Sequence, residues 1–427
     1  MDHFEYRNGI LHCESVDLVD LAGRHGTPLY VYSRQTILDH YGRLATAFAE
    51  VDPWLCFSIK SCGNLSILKL LRQQGCAFDV VSGGEVRRAL EAGADPARIV
   101  FAGVGKSDEE INHALDVGVG YFNVESEAEM DNLASRAAAA GKTASAALRV
   151  NPDVDPKTHV YTTTGKRETK FGVDVERARN VFKTFHGRKG LNLDAIHLHI
   201  GSPVNDVSAY VESITKGLRL IDDLRGDGYT IRSLNIGGGY GADYETDQAP
   251  PAMQYAGAIV PLLRGHDLKI LLEPGRTIMG NAGVLLCRTL YTKASGDKQF
   301  VIVDGSMTEL IRPCLYGAFH FVWPVAPAGG LVPPQRSATL RLDGTRLVDV
   351  VGPVCESSDF LARERYLPPM ERGDLLCVFT AGAYGMVMAS QYNSRPRPAE
   401  VLIEGSAARV IRRRETYDDL VEAERLD

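Results

Sequence analysis

The chain has no apolar run near the roughly 18 residues that cross a bilayer, so a helical membrane span is excluded. None of its eight cysteines forms a Cys-x-x-Cys pair, which argues against a zinc site or a disulfide framework and suits a reducing cytoplasm. It carries little excess charge. A net −7 with pI near 5.9 speaks against nucleic acid or an anionic membrane as partner. Low-complexity segments are absent, and the one dense charge run, Arg412-Arg413-Arg414, reads as a solvated face. The opening MDHFEYRNGILHCESVD is acidic and mixed, unlike a signal or transit peptide. What is present is an ordinary globular composition, 44% hydrophobic and 24% charged. At 427 residues the chain is long enough for one large domain and a smaller one.

One stretch stands out. Residues 55–60, LCFSIK, read as a short buried strand that ends on a lysine. Burial disfavours an ammonium, so such an amine is available as a nucleophile; the plainer alternative is a lysine emerging into solvent at a strand end. Around it, strand and helix signals alternate: strands at 55–60, 77–82, 98–103, 121–125, 144–151, 194–200, 233–237 and 269–273, with helical stretches between them. Eight such units over about 240 residues predict a closed parallel (β/α)₈ barrel over 36–283. A Rossmann-type sheet is the runner-up, weakened because no GxGxxG follows the first strand. Beyond Gly283 short alternating strands predict an all-β domain, a sandwich or Greek-key barrel, with strands at 284–292, 300–304, 338–343, 347–352, 374–380, 399–405 and 408–413. The strand-like pieces at 4–13, with an Asn8-Gly9 turn, and at 28–32 are expected to join it, so that 1–35 and 284–427 make the β-domain.

In a barrel of this type the site gathers at the carboxyl ends of the strands. Those ends supply Lys60, Asp79 with Ser82, Asn123 with Glu125, Arg149 with Asn151, His197 with His199 and Ser202, Gly237-Gly238-Gly239, and Glu273 with Arg276. His197 and His199 share one face of a strand. No third ligand recurs to make them a metal site, so a neutral imidazole lying flat on an aromatic ring is the better use of His199, and His197 is equally a core residue. Glycine turns after the seventh and eighth strands, GGGYG at 237–241 and EPGR at 273–276, stand where such barrels hold phosphate. Glu273 either holds a pyridine nitrogen or pairs with Arg276. A lysine, a phosphate turn and a buried carboxylate together describe pyridoxal 5′-phosphate.

The ordered motifs carry a resemblance. SIK at 58–60, FDVVSGGE at 78–85, FAGVGK at 101–106, FNVES at 122–126, RVNPDVDPKTH at 149–159, TGKRETKFGVD at 164–174 and HLHIGS at 197–202 precede the two glycine turns. IRPCLYGAFH at 311–320, GPVCESSDFLA at 352–362, AGAYG at 381–385 and YNSRPRPAEVL at 392–402 follow them. The chain resembles the fold type III pyridoxal phosphate enzymes, and within them the diaminopimelate decarboxylases, over nearly its whole length.

The resemblance implies decarboxylation of meso-2,6-diaminopimelate to L-lysine in the cytoplasm, by a homodimer whose subunits share their active sites, with no metal. Lys60 would carry the cofactor and His199 stack on its ring. Asp79 would belong to the cofactor site. Ser202, Gly238, Gly239, Gly275 and Arg276 would hold the phosphate, and Glu273 the pyridine nitrogen. Arg276, Arg312 and Tyr316 would bind a substrate carboxylate, with Glu356 reading the distal amino acid end and Tyr384 touching cofactor and substrate. Cys355 would return a proton after CO₂ leaves, a role a thiol can fill near neutral pH. Departures from the family pattern are Ser61-Cys62 after the lysine, DGSMTEL at 304–310, Gly317 and Gln391. The competing readings are a related decarboxylase for ornithine, lysine, carboxynorspermidine or a carrier-bound amino acid, and a non-catalytic pyridoxal-binding relative.

Overall fold

A computed structural model describes residues 2–155 and 170–426. The parts of the motifs at 149–159 and 164–174 that fall on 156–169 lie outside the described residues. The chain divides into two compact units. One comprises Tyr41–Gly241 and Ala249–Arg276, the other Met1–His40, Ala242–Gln248 and Thr277–Asp427.

The first unit is a closed barrel of eight parallel strands: Trp54–Ser58, Ala77–Val80, Ile99–Phe101, Tyr121–Val124, Ala144–Asn151, Leu191–Leu198, Ser233–Asn235 and Lys269–Leu272. Each pairs with the next, and Leu271 and Leu272 close the ring on Trp54 and Leu55. The strands are buried on nearly every residue because a parallel sheet wrapped in helices covers both faces. Cys56, Ala77, Val100 and Leu271 pack together within it. Helices start where the sequence supplies a side-chain oxygen to cap them. Asn64, Ser82, Ser107, Ser126, Asp174 and Asp206 each accept from an N–H of the first turn, and each stands between a strand and its helix.

In the second unit, Leu29–Ser33 runs between Gly283–Ser295, antiparallel, and Ala399–Glu404, parallel. The sheet continues through Lys298–Val303, Arg346–Val351 and Phe360–Leu367 on one side and Ala407–Arg412 on the other. Phe4–Arg7 and Ile10–Cys13 form a hairpin about Asn8-Gly9, whose positive φ values of 51° and 80° make the tight turn the dipeptide favours.

The two compact units divide at 40/41 and 276/277, and Ala242–Gln248 groups with the β unit. That segment is tied there by Asp243 N–H to Asn281 (3.0 Å), Thr246 N–H to Arg336 O (2.9 Å) and Ala338 N–H to Glu245 (2.7 Å). Contrary to expectation, no strand forms at 338–343, where the backbone bonds are local turns such as Leu340 N–H to Ser337 O. The strand Phe360–Leu367 and the Asp17-capped helix Leu18–His25 were not anticipated.

Candidate active site

The first barrel strand stops at Ser58, and Lys60 sits in a single 3₁₀ turn, Ile59–Ser61, not on the strand as expected. Its side chain is 35% exposed, and Nζ donates to Asp79 Oδ2 at 2.9 Å. Asp79 is fully buried on the second strand, in register with Ser58, whose hydroxyl donates to the same oxygen at 2.7 Å. Burial pushes the Asp79 carboxyl up while Lys60 pulls it down. An amine emerging from the sheet is thus aimed by a buried carboxylate, a stronger constraint than the solvent-facing alternative allows. Glu85, whose Oε2 accepts the N–H of Val81 at 2.9 Å, is pushed up to about 7 by burial.

Glu273, just past the eighth strand, is buried. Its Oε1 accepts from Asn123 Nδ2 at 3.0 Å across the barrel and from Asn235 Nδ2 at 2.6 Å. His197 Nε2 stands 3.3 Å from Oε2. Burial would raise the carboxyl, but His197 and Lys60 outweigh it and hold it well below the usual range. Arg276, the other partner considered for it, has its Nε donating to Ser202 Oγ at 3.2 Å.

His199 lies at the mouth with Nδ1 accepting from the N–H of Gly238 at 3.3 Å. Burial, then the Arg149 and Lys60 charges, push its pKa well down, so the ring is neutral, as stacking on a pyridine requires. Gly238 must be glycine: a Cβ there would sit 2.0 Å from Glu273 O. Gly275 is likewise buried against Ser58 and Ser61. Two further buried ion pairs line the same end of the barrel. Lys106 donates to Glu129 (2.6 Å), Asn123 O (2.8 Å) and Gly103 O (2.9 Å), and Arg149 to Glu125 (2.9 Å).

In the β unit two of the substrate candidates, Tyr316 and Tyr384, lie around a third, Arg312. Its guanidinium is buried over the rings of Tyr244 (5.6 Å), Tyr316 (5.6 Å) and Tyr384 (6.0 Å). Tyr316 and Tyr384 were expected there; Tyr244 was not, because it comes from the Ala242–Gln248 segment, far off in sequence. Cys355 is exposed, its N–H held by Asn393 Oδ1 at 2.8 Å, and Glu356 lies near enough to Cys314, in the same short helix as Arg312, to raise that thiol further after burial. Among the departures, Ser306 and Thr308 of DGSMTEL hold the buried Glu309 carboxylate through bonds of 2.7 and 2.9 Å.

Asn235 and Tyr244 are neighbours that sequence reasoning missed, and Asn123, named among the strand ends, had been given no partner there. The available signal was polarity: an amide at the end of an otherwise apolar barrel strand has to meet a polar partner inside. Asp79 Oδ1 and Asn123 Oδ1, both buried, find no partner among the described residues, so this end of the barrel suits a polar ligand.

A lysine aimed by an aspartate, a clamped anionic glutamate, a neutral histidine and glycine turns define a barrel that binds pyridoxal phosphate, and the model of the pyridoxal binding domain of pyridoxal-dependent decarboxylases matches residues 34–280. The relatives narrow the class. The diaminopimelate decarboxylase of Pseudomonas aeruginosa is 45% identical over 426 residues, covering 100% of this chain and 99% of the relative. That of Aquifex aeolicus is 44% identical over 421 residues, covering 98% and 97%. The crystal structure of diaminopimelate decarboxylase from Helicobacter pylori complexed with L-lysine superposes with a TM-score of 0.89 at 38% identity, covering 95% of this chain and 99% of that one. The chain belongs to the diaminopimelate decarboxylases, a family of pyridoxal-dependent decarboxylases.

Proposed function

We propose that the protein removes CO₂ from meso-2,6-diaminopimelate to give L-lysine, with pyridoxal 5′-phosphate held on Lys60. The observation that carries the reading is the Glu273 clamp: two amides bond one buried carboxylate and His197 stands beside it, a costly arrangement unless the carboxylate faces a cation. A protonated pyridine nitrogen is such a cation. When bound, the cofactor supplies the electron sink that accepts the bonding pair left by CO₂.

The chain's own residues do the rest. Asp79 orients the Lys60 amine, and the neutral ring of His199 packs flat without adding charge. Gly238, Gly239, Gly275, Ser202 and Arg276 hold the phosphate. Arg312 meets a substrate carboxylate; a guanidinium already packed among three rings loses little freedom on binding one bidentately. Glu356 reads the distal ammonium, and the Cys355 thiol returns the proton. Lys60 and Glu273 lie in the barrel unit and Cys355 and Tyr384 in the other; the enzyme works in the cytoplasm as a homodimer with shared sites. Among the described residues no helix is long and apolar enough to cross a membrane.

The test is CO₂ release from a panel holding meso-diaminopimelate, its L,L isomer, ornithine and lysine. Release from the meso isomer alone supports the reading; preferential release from ornithine or lysine, or none with cofactor bound, overturns it.

A further inference from the structure

The turn Gly237–Gly241 contributes Tyr240 to a cluster of three fully buried tyrosines whose phenols play no part in the chemistry above. Tyr210, in helix Val207–Gly226, stacks on Tyr240 at 5.2 Å between centroids and 5° between planes. Tyr255, in helix Ala252–Leu263, stands edge-on to both, 5.6 Å from Tyr210 and 5.0 Å from Tyr240. Buried phenols need partners, and two of the three find them on the backbone of the phosphate loops. Tyr210 Oη donates to Gly238 O at 3.0 Å. Tyr255 Oη donates to Val204 O at 2.8 Å and lies 3.4 Å from the N–H of Gly241. Between them, Val204 N–H donates to Gly239 O at 2.8 Å.

These bonds fix successive peptide planes. A trans peptide points its C=O and N–H in opposite directions. Drawing the Gly238 carbonyl onto Tyr210 therefore turns the Gly239 N–H away from the helix layer. Drawing the Gly239 carbonyl onto Val204 turns the Tyr240 N–H away from that loop. Gly239 can take this shape because it is glycine: its φ is +96°, and a Cβ would lie 2.2 Å from Gly201 O.

We propose that Tyr210 and Tyr255 are positioning residues for the phosphate, locking the glycine turn so that its amides are already aimed at the anion before it arrives. The proposal rests on the pyridoxal phosphate reading above. Preorganised donors bind more tightly because the ordering is done in the fold, so the effect belongs to ligands that carry the phosphate.

The test titrates the cofactor-stripped full chain with pyridoxal 5′-phosphate and, in parallel, with pyridoxal, which lacks the phosphate. Tyr210→Phe and Tyr255→Phe keep the rings and remove one hydroxyl each. Each should raise the Kd for pyridoxal 5′-phosphate roughly tenfold and leave that for pyridoxal within about twofold, the loss of one hydrogen bond's worth of alignment. Equal weakening of both ligands, or no weakening of either, overturns the proposal. Wild-type protein that binds pyridoxal as tightly as its phosphate overturns the underlying cofactor reading instead. Thermal melts of the ligand-free variants guard against misfolding, and the two tyrosines provide independent tests.

Discussion

Glu273→Gln keeps the side-chain shape and deletes its charge. Because Oε1 sits between two amide donors, Asn123 at 3.0 Å and Asn235 at 2.6 Å, the glutamine must place its carbonyl oxygen there. Its NH₂ then faces His197 Nε2, 3.3 Å away in the wild type, which can accept if the ring proton sits on Nδ1. Packing survives, and the fold should lose no more than about 1–3 kcal/mol, the worth of hydrogen bonds to a charge. Catalysis should suffer more. An opposite charge within about 4–6 Å shifts a titrating group by about 1–3 units, or ~1.4–4 kcal/mol. With that support gone, kcat for CO₂ release should fall roughly 10–10³-fold while substrate affinity moves little. The assay is CO₂ release at saturating cofactor, alongside a pH titration of the cofactor's visible band. A Glu273→Gln enzyme within about twofold of wild-type kcat, with an unshifted band, would refute the reasoning. The acid limb gives a second reading of the same group. A carboxyl whose folded pKa lies below its unfolded value of about 4.3 contributes stability that is complete above that pH and lost as pH falls toward the folded pKa. Below about pH 4 the wild type should therefore lose stability more steeply than Glu273→Gln.

Other expectations follow from the same geometry. Purified protein should be yellow, and borohydride should fix the cofactor to Lys60; a Lys60→Ala protein still labelled at another lysine would sink that assignment. Cys355→Ala should lower kcat by roughly 10²–10⁴ with a much smaller change in affinity, and should degrade stereospecific uptake of solvent deuterium into lysine; near-native values for both would move the proton donor elsewhere. Mixing inactive Lys60→Ala and Cys355→Ala subunits should recover activity through hybrid dimers, and no recovery despite demonstrated subunit exchange would count against shared sites.

Much of the architecture could be read along the chain. Alternating apolar strands and capped helices are local patterns, and they identified each barrel strand within a few residues. Lys60, Glu273 and the glycine turns could be singled out because a strand end is where such a barrel keeps its chemistry. Failures were also local in cause. Leu18–His25 has only two turns, too few for its period to stand out beside neighbouring strands, and 338–343 alternates without a sheet edge to pair with. What the sequence could not determine is who meets whom. Asn235 reaches Glu273 across 38 residues and Asn123 across 150. Tyr244 joins Arg312 from a segment between two barrel strands that packs with the β unit. Residue type and spacing fix secondary structure because backbone hydrogen bonding and side-chain period act over a few residues. The charge on a buried carboxylate, the aim of a lysine and the plane of a glycine peptide depend on groups brought close only when the barrel closes, so the tertiary structure alone decided them.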